Sequence, residues 1–240
     1  MSTVPLVILG AGGFGREVHD VVEAINSAAV EKGGVPKFDV IGFLDDSPRD
    51  EYLVAERGLT VLGPLDRLDA LPDEVEYVIG IGNGEVRRRL DQRGFRFGRR
   101  SPVLVHPRAV VGQHRVTFGP GVIVCAGAVI TTNVRLGRHV HLNLNVTVGH
   151  DSVLDDYATV NPNASVSGGS QLGSGALVGT GAVVLQGLKV GLDSSVGAAA
   201  CVVRDVPDGL TVVGVPARAI EPRRAPWRHG SDASEPGGKR

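Results

Sequence analysis

Glycine fills 34 of the 240 positions, about twice the ordinary share of roughly 7%, while aromatic residues make up 4% and hydrophobic residues 42%. The formal charge of −1 gives no electrostatic basis for nucleic acid or an anionic membrane as a partner. The mean hydropathy of +0.08 argues against disorder for most of the chain, and the glycines lack the strict three-residue period of collagen.

The chain opens on VPLVIL, an apolar run without the basic flank of a signal peptide, which reads as a first strand. No run approaches the 18 or so apolar residues of a membrane span. Gly10-Ala11-Gly12-Gly13-Phe14-Gly15 follows, and then Val18, Val21, Val22 and Ile25 recur at helical spacing. Strand, glycine turn and helix in that order can hold a phosphate, because glycines let the backbone approach it and the helix offers free N–H groups. A second strand, FDVIGFL, ends in Asp45-Asp46, and a third, VEYVIGIG, ends in Gly82-Asn83. Ligands bind at the carboxyl ends of parallel strands, so Gly12, Gly13, Phe14, Asp45, Asp46, Gly82 and Asn83 are candidate contacts. Three strands in about 100 residues are half of a dinucleotide fold, which favours a mononucleotide or nucleotide-sugar.

From Phe118 an aliphatic or aromatic residue stands at every sixth position through Val202, fifteen times without an insertion. Val105 and Val111 extend the pattern upstream, with a slip of one residue before Phe118. Neither helix nor alternating strand has period six; a fixed hexapeptide period signals a parallel β-helix. Three hexads close one triangular coil, and fifteen make five coils stacked about 4.8 Å apart. The column Gly119, Gly137, Asp155, Gly173, Gly191 reads as a recurring turn position. Cys125 and Cys201 fall four coils apart, about 19 Å, so they form no disulfide. Two such thiols predict a reduced, cytoplasmic protein. Residues 221–240, including Trp227, are polar and rich in Pro and Gly, and read as a disordered tail.

The hexad array resembles the left-handed β-helix of hexapeptide acyltransferases. Joined to a small domain bearing GAGGFG, LDD and IGNG, it resembles the PglD/NeuD-type sugar acyltransferases over residues 3 to about 220. The resemblance implies a Rossmann-like nucleotide-sugar domain over 1–103 and a left-handed β-helix over 104–220. It also implies homotrimers with active sites between subunits, acetyl-CoA as co-substrate, and no metal. NLNVTVGHD over 143–151 matches the catalytic segment. His150 matches the general base, Asp151 the acidic residue beside it that raises its basicity, and Asn143 a residue near the substrate. Gly168, one coil on, matches a glycine whose N–H meets the thioester carbonyl. Gly179, Thr180, Gly197 and Ala198 match contacts to the CoA chain. Two positions depart from many relatives, which carry histidine where this chain has Phe14 and Thr159. The first lies by the sugar and the second by the acyl donor.

A neutral imidazole takes the proton from an attacking amine near pH 7, and an N–H donor steadies the developing oxyanion. His150 follows the inward Val148 by two residues, which places it at an outer turn. Direct attack on the thioester leaves no nucleophilic role for either cysteine. His139 and His141 read as solvated surface residues. Sugar O-acetylation, transfer of another acyl group, a scaffold without activity, and a metal enzyme like the γ-type carbonic anhydrases are the alternatives. The last would draw on His139, His141 and His150.

Overall fold

In the computed structural model the described residues are 3–220; the tail expected over 221–240 lies outside them. The N-terminal unit alternates strand and helix as its sequence alternates apolar runs with helical stripes. β1 (Val4–Leu9), α1 (Gly13–Glu31), β2 (Phe38–Leu44), α2 (Glu51–Ala55), β3 (Val61–Gly63), β4 (Glu76–Ile79) and α3 (Gly84–Arg96) follow in order. The sheet is parallel, in the order β3-β2-β1-β4. β3 adds a fourth strand to the three expected; its three residues are too few to carry a readable pattern. The apolar stripe of α1, with Val18, Val21, Val22 and Ile25, is buried. It belongs to one core with Leu104, Ile123 and Cys125 of the second unit, so α1 seats the first unit on the second.

That second unit is a left-handed parallel β-helix. β5 (Leu104–Val105) and β6 (Val110–Val111) precede the fifteen two-residue strands from β7 (Thr117–Phe118) to β21 (Cys201–Val202). They form three faces. The pairings Leu136↔Leu154, Leu142↔Val160 and Val148↔Val166 step by one coil of eighteen residues. In the first coil Val105↔Val124 and Val111↔Ile130 step by one residue more, where the sequence slips. The hexad residues from Val124 to Val202 are buried and Phe118 is half-buried. Fully burying a Val or Leu side chain contributes about 1.5–3 kcal/mol, so the interior column is the main source of stability.

The corners turn on a column the sequence reading did not single out. From Gly121 to Ala199, every sixth residue has positive φ, and all are Gly, Asn or Asp except His139, Tyr157 and Ala199. The glycine column through Gly119 and Gly137 serves another end: a Cβ on Gly119 would lie 2.6 Å from the carbonyl carbon of Gly137. These glycines let successive coils approach.

The C-terminal end is closed on all three faces. Val206 pairs with Val190, β22 (Thr211–Val213) adds to β20 (Ser195–Val196), and Gly214 and Ala217 bond Cys201. β23 (Arg218–Ile220) then runs antiparallel to β22.

Candidate active site

His150 lies at the turn after β12 (Thr147–Val148), exposed as expected. Its Nδ1 stands 2.8 Å from Asp151 Oδ2, and Asn133 Nδ2 donates to Asp151 Oδ1 at 2.9 Å. These hydrogen bonds, that of His150 first, hold the Asp151 carboxyl below the usual range. The carboxylate is therefore ionised and accepts only, so Nδ1–H is the donor of that bond and Nε2 is the ring nitrogen left free of it. Asp151 reaches back to its neighbour because its φ is +59°, a corner conformation that Asp tolerates.

The imidazole lies directly over Gly168, one coil on. A Cβ there would sit 2.6 Å from His150 Nε2 and 2.7 Å from Cε1. Among the described residues the Gly168 N–H donates to no backbone oxygen, while the next N–H, of Gly169, bonds the His150 carbonyl at 2.7 Å. The His150 ring and an N–H without a backbone partner thus lie side by side on one corner.

The other candidates on the β-helix occupy a different corner. Asn143 follows β11 (His141–Leu142) and donates to Asn161 Oδ1 at 3.0 Å. Gly179 and Gly197 continue that column with Thr180 and Ala198 beside them, packed so closely that a Cβ on Gly179 would lie 2.6 Å from the Ala198 nitrogen. Within the chain, then, His150 and Gly168 line one corner column, whereas Asn143 and the candidate CoA residues line another. Thr159 joins neither. It is buried in β14 (Thr159–Val160), and its Oγ1 accepts from Arg87 Nη2 at 2.7 Å.

In the N-terminal unit a Cβ on Gly12 or Gly13 would meet nothing within 4 Å, so these glycines border open space. No side chain caps α1, which leaves N–H groups at its start for an anion. Asp45 accepts from the Ala11 nitrogen at 2.8 Å and the Ser47 nitrogen at 2.9 Å, bracing the glycine loop. Asp46 accepts from the Leu65 nitrogen at 2.8 Å and lines a cleft of about 370 Å³ with Leu65, Val86 and Arg89. That volume suits a small ligand. Asn83 caps α3 through the Val86 nitrogen at 3.1 Å, and the Gly82 carbonyl accepts from Arg87. Phe14 is half-buried, its ring centroid 5.0 Å from that of His141.

Two expectations are corrected. His139 and His141 are 0% and 1% exposed, not solvated. The hexad pattern places the His141 side chain outside the coil, but the N-terminal unit covers that face. Burial, with the charge of Arg87 beside it, pushes the His141 imidazole well below its usual pKa, and neither ring nitrogen has a partner. His139 Nε2 bonds Asp91 Oδ1 at 2.9 Å. Buried in this way, neither histidine can meet His150 around a metal. Cys125 is likewise inert, because burial pushes its thiol up to about 12.

The sequence reading missed the residues that join the two units. Arg87 and Asp91, both on α3, are 0% and 2% exposed. Asp91 accepts from Arg138, Tyr77, Tyr157 and His139. The signal available was their four-residue spacing, which puts them on one face of α3.

Comparison with known proteins agrees with this architecture. The PglD N-terminal domain family matches residues 5–93. The acetyltransferase domain of PglB from Neisseria gonorrhoeae, solved with acetyl coenzyme A, is 33% identical, covers 91% of this chain and 100% of its own, and superposes with a TM-score of 0.79. PerB from Caulobacter crescentus, solved with CoA and GDP-perosamine, is 29% identical over 92% of this chain and 99% of its own, with a TM-score of 0.79. The GDP-perosamine N-acetyltransferase of Escherichia coli O157:H7 is 31% identical over 152 residues, 63% of this chain and 65% of that protein's length. With the hexad β-helix, the glycine-loop domain and a relative matched along its whole length, the chain belongs to the PglD-type sugar acyltransferases.

Proposed function

We propose that this protein transfers the acetyl group of acetyl-CoA to the amino group of a nucleotide-linked amino sugar. The observation that carries the reading is the His150 ring, bound through Nδ1 to Asp151 and lying with Nε2 over Gly168, whose N–H bonds no backbone oxygen among the described residues. The sugar nitrogen attacks the thioester carbonyl, and His150 Nε2 takes its proton. The Gly168 N–H steadies the oxyanion, which collapses with loss of the CoA thiolate. Asp151 holds the ring in the required tautomer. The nucleotide-sugar takes the crevice at Gly12, Gly13, Phe14, Gly82 and Asn83, with the nucleoside toward Asp45 and Asp46. The relatives named above, among them an N-acetyltransferase of GDP-perosamine, support an amine as acceptor.

The enzyme acts as a homotrimer. The candidate residues divide between two corners of one β-helix, and a groove between neighbouring copies brings two different corners together. CoA lies in that groove along Gly179, Thr180, Gly197 and Ala198, with Asn143 near the substrate. The protein works in the cytoplasm, where acetyl-CoA and nucleotide-sugars are available; among the described residues no helix is long and apolar enough to cross a membrane.

The test is thiol release from acetyl-CoA with GDP-, UDP- and dTDP-linked amino sugars. Turnover with at least one is expected, and it should vanish in His150→Ala while the oligomer persists. Full activity in that variant would sink the mechanism.

A further inference from the structure

We propose that Arg87 is a positioning residue that holds the nucleotide-sugar crevice in register with the coil carrying His150 and Asp151; the inference rests on the function proposed above. Arg87 has five N–H donors, and the structure uses all of them. Nη1 donates to the Ile81 and Gly82 carbonyls at 3.0 and 2.9 Å. Nε donates to the His139 carbonyl at 3.2 Å. Nη2 donates to the Tyr157 carbonyl at 2.5 Å and to Thr159 Oγ1 at 2.7 Å. Every partner is a neutral oxygen, and the side chain is 0% exposed. A buried cation with no counter-ion is costly, and burial lowers its guanidinium to about 9. Among the described residues these four carbonyls accept from no backbone N–H outside the regular elements, so an apolar side chain there would leave them unpaired. The arginine pairs carbonyls of both units at once and thereby ties one to the other.

Its partners show what is placed. His139 and Tyr157 are one coil apart, and both have positive φ, +48° and +63°, which bulky residues rarely adopt. Arg87 bonds the carbonyl of each, and so grips both ends of one coil. The residues between those ends include Asn143, His150 and Asp151. α3 comes this close because residue 84 is glycine: a Cβ there would lie 3.1 Å from the Tyr157 carbonyl oxygen.

On its other side Arg87 draws the Ile81 and Gly82 carbonyls inward. In a trans peptide the N–H points opposite to the C=O, so the N–H groups of Gly82 and Asn83 turn away from Arg87. Both residues are exposed, and neither N–H donates to a backbone oxygen. One guanidinium thus orients the donors at the end of β4 and fixes them to the catalytic coil.

The test uses the full chain and the nucleotide-linked amino sugar that the wild type turns over. Arg87→Lys keeps the charge but has three donors in place of five. It should raise KM for the nucleotide-linked sugar about tenfold, the loss expected for one or two hydrogen bonds. KM for acetyl-CoA should stay within about twofold. Thr159→Val removes one acceptor and should move the same KM in the same direction, less far; it serves if Arg87→Lys does not fold. A rise in the acetyl-CoA KM in Thr159→Val would return Thr159 to the acyl donor and overturn the assignment. Variants that lose thermal stability with both KM values unchanged would make Arg87 purely structural and overturn it too. A wild type with no turnover would overturn the function itself, and this proposal with it.

Discussion

Gly168 gives the sharpest residue-level test, because a methyl group there competes with the His150 ring for the same space. Gly168→Ala should leave the fold intact and lower kcat by about a hundredfold, the cost of misplacing a catalytic group by about 1 Å; steady-state kinetics beside a thermal melt would check it. Asp151→Asn should lower kcat with little change in either KM, since an amide grips Nδ1–H more weakly than an ionised carboxylate. The resemblance carried by NLNVTVGHD singled out His150 and Asp151, and the strict period placed them at an outer turn. Gly168 then followed as the residue one coil away. Arg87 was not legible. On α3 it sits in the run EVRRRL, and a charged helix residue reads as solvated until the surface that buries it is known.

Among the elements, α3 carries most of the junction. Burial works against the Asp91 charge, but hydrogen bonds from His139, Arg138 and Tyr157 outweigh it and hold the carboxyl far below its usual range. A carboxyl depressed on folding stabilises the protein above its unfolded pKa of about 3.9, and that contribution fades as pH falls through the folded value. Acid unfolding should therefore include a step below about pH 4 that Asp91→Asn removes, measured as melting temperature against pH. Asp91→Ala should cost about 3–5 kcal/mol, because it leaves the Arg138 charge without its partner. Inside the coils, Leu154→Ala should cost about 2–5 kcal/mol in denaturant unfolding. The sequence made the β-helix readable to the residue, since one side chain per hexad must point inward. It gave no sign of which outer face is covered. His141 therefore looked like a surface position; in the structure Phe14 packs on His141 and Arg87 of α3 bonds Thr159.

For the whole molecule, the proposed trimer would make activity a property of the assembly, because the candidate residues divide between two corners. Sedimentation should report a trimer. Gly13→Arg fills open space in the crevice and should abolish sugar binding without harming the fold. Mixed trimers of Gly13→Arg and His150→Ala chains should regain part of the activity if each site draws its crevice and its base from different subunits. Homogeneous trimers of either variant should stay inactive. If mixing restores nothing, each site is built within one subunit.

The closure of the last coil reaches beyond catalysis. A stack of parallel strands ends in a row of free N–H and C=O groups, a template for any other strand. Here Val206, β22, Gly214 and Ala217 occupy that row on all three faces. Then β23 reverses direction, and its outer edge no longer matches the parallel repeat of another copy. A chain cut short after Val202 would keep the corners that carry His150, Gly168 and Asn143 and lose that barrier. Its bare end would pair with the bare end of a second copy, and the shortened chain should associate end to end.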